Sequence, residues 1–467
     1  MIIILKNGNC YHYSENNKIL SPLPRDIFYE QPSQHSQYYR EKLKFILEHC
    51  DEKEEIKQYA ISSEEIKMNF FNVSQITFEV TEACNLQCHY CAYSDLYVNK
   101  RESIGNLKFE TVKVLFDFLK TEWEHNYRHS SRQLKIGFYG GEALLNFSLI
   151  RKIVDYAEPM KNWISIAYTI TTNALLLDKY IDYLVKNNFL IVISLDGNET
   201  NHSYRTDKNG NNSFNKVISN VDMLYEKYPD YFERNVSFNA VLHDRNSVND
   251  ICNFTYQRYG KYPSINELME AGVQNERKDH FEEIFKSFSE DLSEWGDSNQ
   301  MKKMFMILPT YRDAYKFLSK HTPFIYQKYN NLLYKRTTKF FYPNTGTCVP
   351  FSRKIFVTAN GNILPCERIS QQFTLGHILK DKVVIDFKKI AKQYNEYYDK
   401  LYKQCSTCFQ KKICGQCIFH LNDLDEYPKC KGHMAEKAFV EYIGNMIAFF
   451  ETHPDDYPRL MNEVIIQ

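Results

Sequence analysis

Cys84, Cys88 and Cys91 stand in a CxxxCxxC arrangement, and Cys348, Cys366, Cys405, Cys408, Cys414, Cys417 and Cys430 form a second group far downstream. Thiolate is the preferred protein ligand of iron–sulfur clusters and also serves zinc. Three thiolates within eight residues can hold three irons of a cubane and leave the fourth iron open. Zinc would ask for a fourth ligand, and His89 is badly placed to supply it beside Cys88 and Cys91. The chain has 13 cysteines, an odd number, and ten fall in these two groups. A secreted disulfide scaffold is short and cysteine-dense throughout. Grouped cysteines in a 467-residue chain read instead as metal or cluster ligands.

The elements that must position these residues follow from hydrophobic periodicity. Ile76, Phe78 and Val80 alternate as in a strand, and Val112, Leu115, Phe116 and Leu119 mark one face of a helix. Further strands are expected at Leu134–Tyr139, Ile164–Thr171, Leu190–Leu195 and Val236–Leu242, with a weak sixth near Ser264–Leu268. Strands alternating with helices imply a parallel sheet, open or closed as a barrel. The cysteine loop directly follows the first strand, so it sits at the C-terminal end of the sheet, where ligand sites of such folds gather. Leu43, Ile46, Leu47 and Cys50 share one helical face, which makes Cys50 a core residue. Cys252 lies on an expected helix after the fifth strand and reads as core as well. Asn360-Gly361, between Ile355–Thr358 and Ile363–Pro365, marks a hairpin.

With these motifs in place, the chain resembles the radical S-adenosylmethionine (SAM) superfamily. In that family the open iron of the CxxxCxxC cluster binds the amino and carboxylate groups of SAM. The match continues in order through Tyr90 within the loop, Gly140-Gly141-Glu142 ending the second strand and Thr172-Asn173 ending the third. Ser194 and Asp196 end the fourth, and His202 and Arg205 precede Gly210, Ser213 and Phe214. The resemblance implies that Tyr90, Gly140, Gly141, Glu142, Thr172, Asn173, Ser194, Asp196 and Arg205 surround SAM. Glu142 would pair with its ammonium and Arg205 with its carboxylate. Asp196, just before Gly197, reads equally well as a turn residue.

The downstream cysteines resemble the SPASM domain of radical SAM peptide and protein maturases, which holds two auxiliary clusters. The central family pattern is CxxCx5CxxxC; here the last gap is one residue short, at Cys417. By position, Cys405, Cys408, Cys414 and Cys430 would hold the outer cluster, and Cys348, Cys366 and Cys417 the inner one. Two complete cubanes want eight thiolates and the region offers seven, so the inner cluster is expected to keep an open iron, where a substrate cysteine could bind. Paired CxxC motifs suit a zinc ribbon too.

The implied fold is α/β. It comprises a partial (β/α)6 TIM-like barrel over 71–290, a winged-helix-like α+β domain over 1–70, a helical bridge over 291–347 and a SPASM domain over 348–467. The implied cofactors are three [4Fe-4S] clusters and SAM. The implied function is maturation of a ribosomally made precursor peptide, through a thioether from Cys sulfur to carbon, with residues 1–70 recognising the leader. Glu367, next to Cys366, would take the released proton, or would be a hairpin residue in an ion pair. Anaerobic sulfatase maturases resemble the chain too, but tend to have Asp where Glu367 stands. Carbon–carbon crosslinking is a third chemistry, and an iron–sulfur electron carrier or peptide-binding scaffold the reading without catalysis. Electrons would come from a flavodoxin- or ferredoxin-type donor. The 58 basic and 58 acidic residues cancel, which argues against broad nucleic-acid binding. With no signal peptide and no apolar run of spanning length, a cytoplasmic, membrane-free location is expected.

Overall fold

A computed structural model of the chain describes residues 1–14, 19–28, 31, 33–49, 60–98, 105–126, 133–162, 164–293, 311, 313–315, 317–318, 345–411, 414–421, 424 and 426–463. It comprises two compact units. One contains Met1–Ala60, Asp297–Thr347 and Glu396–Gln467, and the other Ile61–Gly296 and Cys348–Asn395.

In the first unit, β1 (Ile2–Ile4), β2 (Cys10–Ser14) and β3 (Ile19–Leu23) form an antiparallel sheet in that order, and α1 (Gln34–His49) follows. The helix expected around Leu43 is α1, while Cys50 lies outside the described residues. Cys10 packs with Leu23 and Ile27. The sheet is held by the C-terminal helix Glu436–Thr452. Tyr13 is buried, with its ring centroid 6.4 Å from that of Phe439. The Glu451 carboxylate accepts from Asn7 at 2.7 Å, from Asn9 at 2.9 Å and from the Tyr11 hydroxyl. The expected separate domain 1–70 is therefore divided. Its first part joins the C-terminal helix, and its last part, α2 (Ser63–Phe71), belongs to the other unit.

The second unit is built on six parallel strands in sequential order: β4 (Gln75–Thr81), β5 (Gln133–Gly140), β6 (Ser165–Thr172), β7 (Leu190–Ser194), β8 (Val236–Val241) and β9 (Ser264–Asn266). The connections carry α3 (Phe109–Asn126), α4 (Phe147–Ala157), α5 (Leu177–Lys186), α6 (Phe214–Lys227), α7 (Pro229–Asn235) and α8 (Val248–Tyr259). Alternate residues face these helices. Phe78 meets Phe116 of α3, Tyr168 donates to Val154 O of α4, and Phe238 lies against Phe232 of α7 and Tyr259 of α8. By the two-residue period of a strand, the other set faces away from the helices. That set includes the polar residues Thr77, Glu79, Tyr139, Thr169, Thr171, Ser194, Ser237, Asn239 and Asn266. Cys252 on α8 is fully buried, and burial pushes its thiol up to about 12, as befits a core residue.

The expected hairpin around Asn360 exists as β10 (Ile355–Val357) and β11 (Asn362–Leu364), followed by β12 (Gly376–Ile378) and β13 (Val383–Ile385). It does not start a separate domain. β10 pairs in parallel with β4, Ile355 opposite Ile76, so the sheet grows to ten strands with β13 and β9 at its edges. The buried Glu79 of β4 accepts from Ala359 N at 3.0 Å in the hairpin turn. Phe70 of α2 packs edge-on against Phe351, just before the hairpin, with ring centroids 4.9 Å apart.

Candidate active site

The CxxxCxxC loop leaves β4 at Thr81, whose hydroxyl accepts from Ala83 N at 3.1 Å. The loop is pinned by the segment around Arg205: Gln87 N donates to Thr206 O at 2.8 Å and His89 N to Tyr204 O at 3.1 Å. Burial pushes the Cys84 thiol up to about 11 and that of Cys88 to about 12, and the neighbouring sulfurs add to both shifts. Cys84 and Cys88, buried in this way, resist ionisation unless a positive centre replaces their protons, which is what a bound metal group does. Among the described residues no three His, Cys, Asp or Glu side chains converge tightly enough to grip one ion. A cubane needs no such convergence, because each thiolate takes a different iron.

Gly140, Gly141 and Glu142 pack directly on the start of that loop. A Cβ on Gly140, at φ +149°, would lie 2.1 Å from Thr81 O, and one on Gly141 2.2 Å from Ala83 O. Gly141 N donates to Thr81 O and Glu142 N to Ala83 O. The two glycines therefore serve contact between turn and cysteine loop, rather than only backbone approach to SAM. The buried Glu142 carboxylate accepts from Leu144 N at 3.0 Å, the Thr172 hydroxyl at 2.8 Å and Asn173 N at 2.7 Å. Burial pushes its pKa up against these bonds. All three donors are neutral, so among the described residues this buried charge has no counter-cation. The Asn173 side chain reaches Asn85 in the cysteine loop at 2.8 Å.

Asp196 is the hub of the site and is fully buried. Its Oδ2 accepts from Arg205 Nε at 2.9 Å and from the Tyr90 hydroxyl, and its Oδ1 from Arg205 Nη2 at 3.1 Å and Val241 N at 3.0 Å. Burial opposes ionisation, but the Arg205 charge and these bonds outweigh it and hold the carboxyl below its usual range. Arg205 is thus committed to Asp196, and Tyr90 with it. These three side chains tie the end of the fourth barrel strand to the cysteine loop through Tyr90. The motif residues around Arg205 fix it in place. Asp196 N donates to His202 Nδ1, His202 Nε2 pairs with Ser213 Oγ at 3.2 Å, and Ser213 Oγ donates to Arg205 O at 2.7 Å. Ser194 stays at the strand end, half-buried.

In the first unit, Cys405, Cys408, Cys414 and Cys430 line one pocket with Gln404, Lys411 and His433. Gly346 lies against Cys414 and Gly415 so closely that a Cβ there would meet Cys414 O at 2.4 Å. Thr347 Oγ1 accepts from Ile418 N at 2.8 Å, just after Cys417. In the second unit, Cys348 is exposed and Cys366 half-buried after β11. Both oxygens of Glu367 lie 3.0 Å from Lys354 Nζ. The hairpin thus places Glu367 in an ion pair with Lys354.

Residues 78–254 match the family described as the Radical SAM superfamily. An uncharacterised protein of Methanocaldococcus jannaschii is 30% identical over 321 residues, 68% of this chain and 93% of that protein. The chain belongs to the radical SAM superfamily. A cysteine-type anaerobic sulfatase-maturating enzyme of Clostridium novyi is 30% identical over 158 residues, 33% of this chain and 40% of that enzyme. Among solved structures, native anSMEcpe with bound AdoMet and Kp18Cys peptide shares the fold, with a TM-score of 0.51 at 18% identity, over 83% of this chain and 98% of that one.

A radical SAM enzyme binds a [4Fe-4S] cluster and SAM, and the residues present fit both. Two thiols raised by burial, Cys84 and Cys88, would be stabilised as thiolates by a positive group, and the uncompensated Glu142 carboxylate would receive the SAM ammonium. The sequence alone did not single out His243, whose ring stacks on Tyr90 at 5.6 Å and lies 4.0 Å from Asp196. Its position just past β8, at a strand end like the other site residues, was the available signal. No described helix of this radical SAM enzyme is long and apolar enough to cross a membrane.

Two buried histidines give the enzyme a pH dependence. Burial lowers His202 to about 3 and His243 to about 4, so both are neutral in the folded protein. In the unfolded chain they protonate near 6.5. Their contribution is fully present above that value and is lost as pH falls toward 4 and 3. The unfolding free energy should therefore hold from pH 8 to 7 and then drop by about 1–3 kcal/mol per pH unit. His243→Gln should flatten the slope by about half.

Proposed function

We propose that this radical SAM enzyme matures a cysteine-containing peptide, joining the cysteine sulfur to a carbon as a thioether. The four-cysteine pocket of Cys405, Cys408, Cys414 and Cys430, an auxiliary cluster site in addition to the CxxxCxxC loop, carries this reading. When bound, a reduced cluster and SAM supply the 5′-deoxyadenosyl radical that takes hydrogen from an unactivated carbon. Thioether formation removes two hydrogens from the peptide. One leaves as an atom to that radical, the other as a proton, and one electron remains to be accepted. An auxiliary cluster suits that electron. We assign a further cluster to the second unit, with Cys348 and Cys366 among its ligands.

The roles of the chain's own residues follow from their places. Glu142, Thr172, Asn173 and Ser194, at the strand ends, would orient SAM, with Gly140 and Gly141 letting the turn close on the cysteine loop. The polar face of the sheet suits a peptide main chain, and Asn239 and Asn266, joined at 2.7 Å, present amides there. Similarity to a cysteine-type sulfatase maturase supports a cysteine substrate, as does the likeness to a structure holding a peptide. Formylglycine formation is the second reading, supported by the same relatives. Against it stands Glu367, bound by Lys354 where those enzymes tend to have Asp. A leader peptide would add a strand to the N-terminal sheet β1–β3.

The test uses reconstituted enzyme, SAM, a reductant and a short Cys-rich peptide encoded beside it. The expected product has lost two hydrogens and no longer reacts with a thiol alkylator. An aldehyde with sulfur replaced by oxygen would establish the formylglycine reading instead. 5′-Deoxyadenosine without any change in the peptide would overturn both.

A further inference from the structure

The four-cysteine pocket contains a charge that the proposed chemistry leaves unused. Lys411 is only 7% exposed and lines the pocket with Cys405, Cys408, Cys414 and Cys430. Its main chain is fixed by the cysteines on either side: Lys411 N donates to Cys408 O at 3.2 Å, and Cys414 N to Lys411 O at 3.4 Å. Nζ stands 5.9 Å from the Tyr402 ring centroid. Among the described residues no carboxylate pairs with it. Lysine is almost never buried so deeply without a partner. The anionic partner that this pocket offers is the set of thiolates.

We propose that Lys411 is the built-in counter-cation of this cysteine site and raises the reduction potential of the cluster held there. The proposal rests on reading the four cysteines as cluster ligands. A cubane bound by four thiolates is net negative and becomes more so on gaining an electron. A fixed positive charge in a low-dielectric pocket stabilises the more negative state. An amide acts in the same direction: Met434 N donates to Cys408 Sγ at 3.4 Å. Hydrogen bonds to ligand sulfurs shift a cluster as neighbouring charge does. Lys411 therefore acts as a positioning residue for an electron: it biases this site toward acceptance.

The experiment is a redox titration read by electron paramagnetic resonance on full-length reconstituted enzyme, the relevant signal being the one that Cys405→Ser removes. Lys411→Met is compared with Lys411→Arg. At the wild-type midpoint, the reduced-to-oxidised ratio should fall about tenfold in Lys411→Met, a shift of about 59 mV for one electron. Lys411→Arg should stay within about threefold. Lys411→Gln, which keeps a polar tip, is titrated alongside in case Met costs the fold, and the same loss is required of it. A variant that keeps its iron, sulfide and signal but shows an unchanged ratio overturns the role of Lys411 while the cluster reading stands. Zinc in the wild-type pocket, without iron and sulfide, overturns the cluster reading and the proposal together.

Discussion

Replacing Cys84, Cys88 and Cys91 by Ala should abolish reductive SAM cleavage and leave iron and sulfide in the C-terminal cysteine pocket. The three thiols belong to one short loop, and no other cysteine of the second unit adjoins that loop in sequence. The pocket of Cys405, Cys408, Cys414 and Cys430 belongs to the other compact unit and is built on its own contacts, Gly346 against Cys414 and Gln404 Oε1 accepting from Cys430 N at 3.0 Å. Loading one site should therefore not depend on the other. 5′-Deoxyadenosine formation and iron content check the two halves of the expectation separately. Turnover that survives all three substitutions would remove the loop from the chemistry.

The second large effect concerns stability. Asp196→Ala strips four donor groups of their acceptor and leaves the Arg205 guanidinium buried without a counter-charge. Breaking one side of a buried pair costs about 3–5 kcal/mol. The denaturation midpoint of the variant should fall accordingly. Arg205→Lys should not preserve the wild-type value, since an ammonium cannot reproduce the fork that meets both carboxylate oxygens. Replacing both partners by apolar residues should cost less than Asp196→Ala alone. If Arg205 held the SAM carboxylate instead, Arg205→Met would weaken SAM binding at unchanged stability. The brace gives the opposite order, with Glu142→Gln the variant that loses SAM affinity, by about tenfold for one charge-assisted pair.

Much of this was legible in the chain. β4–β8 fall on the alternating segments read from residues 76–242, and the weak sixth strand exists as Ser264–Asn266. Periodicity reports which face of an element is apolar, and cysteine spacing reports a cluster loop, because both are local properties. Partner choice is not local. The sequence places Asp196 and Arg205 nine residues apart, and either could have faced SAM. Only the closed loop between them, held by His202 and Ser213, turns the guanidinium onto the carboxylate. The same holds for Glu367, whose spacing after Cys366 says nothing of Lys354 across the hairpin. The motif glycines show the limit from another side: their presence was evident, but what they approach, Thr81 O and Ala83 O, is set by packing. Lys411 gave no signal at all, since a lysine beside cysteines in sequence is ordinarily solvated.

The parallel pairing of β10 with β4 also has a consequence in time. Ile355 lies opposite Ile76, so one flank of the first barrel strand waits for a partner 279 residues further along the chain (355 minus 76). At about 5–20 residues per second, a ribosome needs roughly 14–56 s to make that stretch. Through this interval the nascent barrel carries a bare row of amides and carbonyls along β4, the kind of edge that recruits strands from other chains. Cys348 and Cys366 flank the hairpin that covers this edge. A protein stalled before residue 355 would keep that edge exposed to chaperones and to strands of other chains.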